Sequence, residues 1–71
     1  MAGSQIEDAI TEWTAALRID PNLADAHYNL GITLASIPDR RAEAIAEIET
    51  ALRLRPDATR RAMLDRLRAA Q

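Results

Sequence analysis

Ala16-Leu17-Arg18-Ile19-Asp20-Pro21 returns thirty-five residues later as Ala51-Leu52-Arg53-Leu54-Arg55-Pro56. Ala9-Ile10 returns at the same distance as Ala44-Ile45. A period of this length marks stacked supersecondary units, each too small to bury its apolar face alone. Pro21 and Pro56 cannot continue a helix, so each copy of the hexapeptide reads as a helix end followed by a turn.

Working outward, apolar residues recur at helical spacing on both sides of each turn. Ile6, Ala9, Ile10, Trp13, Ala16 and Leu17 form the first set, and Leu23, Ala26, His27, Leu30, Gly31 and Leu34 the second. Ala44, Ile45, Ile48, Ala51 and Leu52 form the third, and Met63, Leu64, Leu67 and Ala70 the fourth. The spacing predicts helices over roughly residues 5–19, 23–36, 40–54 and 58–70, with Pro38 breaking the second from the third. Ser4 with Glu7 has the pattern of a capping box, and Asn22, Asp39 and Asp57 are the expected caps of the later helices. Arg40 and Arg41 fall at a helix N-terminus, where the macrodipole disfavours cations. The loops are short, so successive helices are expected to run antiparallel. Residues 1–4 are expected to be a disordered arm or a cloning remnant, and residues 5–71 a single all-α domain.

Composition agrees with helices. Ala supplies fifteen of the 71 residues, while Val and Phe are absent. There is no Cys, which excludes a disulfide scaffold and thiolate chemistry. No apolar run reaches the ~18 residues of a membrane span, and no secretory signal pattern opens the chain. A cytoplasmic location is the expectation. Charge is divided unevenly. Residues 1–39 hold six acids and one base, Arg18; residues 40–71 hold eight Arg and five acids. All nine basic residues are Arg, which together with the abundant Ala reads first as GC-rich codon usage; the alternative reading is that the division favours association of one end with the other.

The segment Ala24-Asp25-Ala26-His27-Tyr28-Asn29-Leu30-Gly31 resembles the first helix of a tetratricopeptide repeat, a helix–turn–helix unit of about 34 residues. Ala44-Ile45 through Ala51-Leu52, closed by Pro56, resembles its second helix. On this resemblance, residues 24–57 are one full repeat and residues 5–20 the second helix of a preceding repeat. Residues 58–70 are a terminal helix in the place of a following first helix. The implied architecture is an α-solenoid fragment of four helices in antiparallel hairpins. The chain departs from the family pattern at Pro38, where Gly is usual, at His27, where a large aromatic is usual, and at Leu34, where Tyr is usual. One extra residue lies in the turn between Ser36 and Ala42.

The resemblance implies a non-catalytic protein–protein interaction module that binds a peptide or helix of a partner on the surface lined by first helices. The matching positions are Asp25, Tyr28, Asn29, Ile32 and Ser36, with Arg60 from the terminal helix. Asn29 matches a residue that, in chaperone-tail binders, hydrogen-bonds the ligand; it is equally common in the motif as a structural residue. Those binders also use Lys or Arg from flanking first helices, and only Arg60 or Arg61 stands here, so the full carboxylate clamp is not present.

No catalytic constellation accompanies this. With one His, no Cys and no Gly-rich phosphate loop, no enzyme activity, cofactor or metal is expected. Glu43 and Glu47 share a helix face without a His partner, and His27 reads as a half-buried packing residue between helices. Arg60, Arg61, Arg66 and Arg68 make a basic terminal helix, but without interleaved aromatics a nucleic-acid partner is not favoured.

The alternative function is a self-assembling unit whose main partner is another copy, with a dimer, possibly helix-swapped, favoured over an open array. Ala9, Trp13 and Ala16 on the first helix and Met63 and Leu67 on the last are the candidate contacts. Trp13 carries the argument. A Trp side chain buries on the order of 150–250 Å². That corresponds to at most ~4–6 kcal/mol at about 25 cal/mol per Å². Left on an unpaired face, such area marks an interaction site.

Overall fold

The computed structural model of the chain describes residues 4–70. Four α-helices run in order: α1 Ser4–Ile19, α2 Ala24–Ala35, α3 Arg41–Leu54 and α4 Ala58–Ala69. A single 3-10 turn, Pro38–Arg40, leads into α3. Among the described residues there is no strand. Of the arm expected at residues 1–4, Ser4 instead begins α1, while residues 1–3 and the Ser4 side-chain cap lie outside what is described.

The helices start where local chemistry allows, and two of the expected caps are corrected. Asn22 does not cap α2. Its backbone N–H donates to Asp20 Oδ1 at 3.0 Å, so Asp20 supplies the side-chain oxygen of a turn around Pro21. The N-cap position falls to Leu23, which has no side-chain cap. Asp39 does not cap α3 either. Pro38 fixes a backbone angle suited to a 3-10 turn, closed by Arg40 N–H on Ile37 O at 3.0 Å, so Asp39 is drawn inside that turn. Arg40 becomes the N-cap residue and places its guanidinium on Glu43, with Nε 2.8 Å from Oε1 and Nη2 2.9 Å from Oε2. This two-point pairing answers the charge conflict expected of a cation at a helix N-terminus. Asp57 caps α4 as its sequence position predicts, accepting from Arg60 N–H at 2.9 Å.

The largest interface is between α2 and α3, and α1 and α4 flank it. Gly31 makes the close approach possible. A Cβ there would lie 2.6 Å from Ile48 Cγ1 and 3.0 Å from the Ala44 carbonyl oxygen. Ala44 and Ile48 are fully buried opposite it. Two clusters result. Leu30, Leu34 and Ala44 are joined by Ile10, Trp13, Leu17 and Ile37. Ile45, Ile48 and Leu64 are joined by Tyr28, Ile32, Leu52, Met63 and Leu67.

Two expected association residues therefore look inward. Met63 and Leu67 are half-buried against the core of their own chain. Trp13 is not left bare: it is half-buried against the Leu30, Leu34 and Ala44 cluster. Standing three residues after Ile10 and four before Leu17, it shares the face that those two turn to α2.

Candidate peptide-binding face

α2 and α4 lie on one side of α3, and the residues between them form the candidate site. Tyr28 and Ile32 project from α2 and Met63 and Leu67 from α4, all half-buried around the Ile45–Ile48–Leu64 cluster. Their rim is a groove of about 260 Å³ lined by Tyr28, Thr59, Ala62, Met63 and Arg66.

Arg60 sets the shape of one end. Its guanidinium carbon stands 4.3 Å from the centre of the Tyr28 ring, within cation–π range. The same guanidinium places Nη1 2.9 Å from Asp25 Oδ1. Asp57 starts α4 in the register that brings Arg60 here, by bonding the Arg60 backbone N–H. Asp25, Tyr28 and Arg60 are thus brought together, and Asp25 neutralises the base that the sequence offered to a ligand.

Asn29 is half-buried, and its backbone carbonyl accepts from Thr33 Oγ1 at 2.8 Å. Among the described residues, no partner hydrogen-bonds its side-chain amide. Ser36 stands apart from this group. It is the C-cap residue of α2, and its hydroxyl donates to Thr33 O at 2.7 Å. Thr59, Ala62 and Arg66 were not expected in the groove. The equal lengths of α2 and α4 carried the signal, because Ala24 aligns with Ala58 and therefore Tyr28 with Ala62.

His27 lies outside the groove, between α2, α3 and the preceding turn. Nδ1 is 2.8 Å from Glu47 Oε1 and Nε2 is 2.8 Å from Pro21 O. Both nitrogens face oxygens, one of a carboxylate and one of a backbone carbonyl. The aromatic expected by the family pattern is replaced by a polar bridge at the same place.

The basic residues of α4 are also committed in part. Arg68 pairs with Glu49 of α3, and Arg61 approaches Asp65 at 3.6 Å. Among the described residues, no group of three or more metal-ligating side chains occurs, and no helix is long and apolar enough to cross a membrane.

A model of the TPR repeat family matches residues 1–37, more than half of the chain. The chain belongs to the tetratricopeptide repeat family. The matched stretch spans α1, the α1–α2 turn and α2. Family membership points to a protein–protein interaction module, a class that is typically non-catalytic. No curated protein and no solved structure matches the chain.

Proposed function

We propose that the chain binds an extended peptide segment of a partner protein in the groove between α2 and α4. The observation that carries this reading is the groove itself: an apolar floor from Tyr28, Ala62 and Met63, with Arg66 at its edge. Such a surface suits one apolar side chain with an acidic group next to it. The acidic group meets Arg66, since Arg60 is already held by Asp25 and Tyr28. The Asn29 amide supplies a donor and an acceptor for the peptide backbone.

The test is Asn29→Ala against a peptide selected on the unmodified chain. Weaker binding, by about three- to tenfold for one lost hydrogen bond, with an unchanged melting temperature supports the site. Equal affinity and equal melting remove Asn29 from it.

A further inference from the structure

α3 uses two faces. Ala44, Glu47 and Ile48 meet Gly31 and His27 of α2, and Ile45, Ile48 and Leu52 meet Leu64 of α4. α1 repeats α3 thirty-five residues earlier, and α4 matches α2 thirty-four residues later. In α1, the counterparts of Ile45, Ile48 and Leu52 are Ile10, Trp13 and Leu17, and these pack toward α2. The counterparts of Ala44, Glu47 and Ala51 are Ala9, Glu12 and Ala16. Ala44 and Ala51 are buried in α3, whereas Ala9 and Ala16 are only half-buried and Glu12 is exposed. Among the described residues, α1 therefore carries a second contact face that nothing fills.

The matching seat is at the other end. On the outer side of α4, the counterparts of His27 and Gly31 are Arg61 and Asp65, with side chains 64% and 63% exposed. Beside them a cleft of about 320 Å³ runs between α3 and α4, lined by Glu49, Leu52, Arg53, Arg61, Leu64 and Arg68. The two ends are opposite in charge. α1 holds Glu7, Asp8 and Glu12 against Arg18; α4 holds four Arg against Asp65, of which Arg60 already faces Asp25 and Arg68 faces Glu49, leaving Arg61 and Arg66 as the bases open to a neighbour.

We propose that copies of this chain associate head to tail, with α1 of one copy seated in the α3–α4 cleft of the next. Glu12 then faces Arg61 of the neighbour as Glu47 faces His27 within the chain. Ala9 lies over α4 as Ala44 lies over α2. Charge selects this arrangement over a two-fold pairing of α1 with α1, which sets one acidic helix against another. Asp65 limits its strength. At the equivalent Gly31 a Cβ would already collide with Ile48. The incoming helix therefore sits further out than α3 does from α2, and the association is weak and sensitive to salt.

The test is sedimentation equilibrium of the full chain over a concentration series, with Glu12→Arg, Arg61→Glu and the double variant. Circular dichroism checks that each is folded, which the exposure of both side chains favours. The average mass of the unmodified chain should rise with concentration and fall with added salt. Each single variant should weaken association by roughly three- to tenfold, and the double variant should restore it. A chain that stays monomeric throughout overturns the proposal. So does an Arg61→Glu variant that associates like the unmodified chain, the result expected of α1–α1 pairing. A double variant that is not restored does the same.

Discussion

His27 holds Glu47 across the α2–α3 interface, with Nδ1 2.8 Å from Oε1, while its other nitrogen reaches the Pro21 carbonyl oxygen. One side chain thus ties two helices and the preceding turn in the place where the family pattern has an aromatic ring. His27→Ala should lower stability by about 1–2 kcal/mol, because it leaves a half-buried carboxylate without its partner. A double-mutant cycle with Glu47→Gln, followed by urea unfolding, should show coupling above about 0.5 kcal/mol. Additive effects would mean that the bridge contributes nothing of its own.

Gly31 is the second determinant of the same interface. Gly31→Val should destabilise by about 2–3 kcal/mol, since the added carbons meet Ile48 and the Ala44 backbone in a packed interior. Gly31→Ala should cost less, because Ala gains up to about 1 kcal/mol of helix propensity over Gly. Thermal melting of the two variants gives the comparison. A valine variant as stable as the parent would contradict the close approach.

Asp57 positions Arg60 and starts α4. Asp57→Ala should cost about 1 kcal/mol, and it should loosen α4 before the rest of the chain. Amide hydrogen exchange is the appropriate measurement, with faster exchange concentrated in residues 58–70. A uniform loss of protection would show that α4 does not open separately.

Glu43 gives a prediction in pH. The hydrogen bonds from Arg40 hold its carboxyl below the ordinary glutamate range. A carboxyl depressed in the folded state contributes stability above its unfolded pKa, and that contribution disappears as pH falls through the folded value. The pair is exposed, so the contribution is small. An NMR titration of the Glu43 side chain should show the lowered midpoint, and Arg40→Ala should return it to the ordinary range. An unmoved midpoint would break the link to Arg40.

The helices were legible in the sequence because period and proline placement act locally. The thirty-five-residue echo of Ala16–Pro21 in Ala51–Pro56 and the cap at Asp57 needed nothing beyond neighbouring residues. The caps at Asn22 and Asp39 were misread, because adjacent prolines created turns whose oxygens and angles took precedence. Trp13 was misjudged for a different reason. The helix face of a large ring is settled by its distance from Ile10 and Leu17, and the indole reaches further than a face assigned by position suggests. At the site, Tyr28 and Arg60 were both legible as candidates. Their stacking, and the use of Asp25 to neutralise Arg60, depend on how α4 crosses α2, which no local pattern records.

The most direct test of peptide binding is an NMR perturbation map with a peptide selected from a random library on the unmodified chain. The account predicts that shifts concentrate on Tyr28, Asn29, Ile32, Ala62, Met63 and Arg66. Shifts confined to α1 or to the outer side of α3, with those residues unmoved, would contradict it.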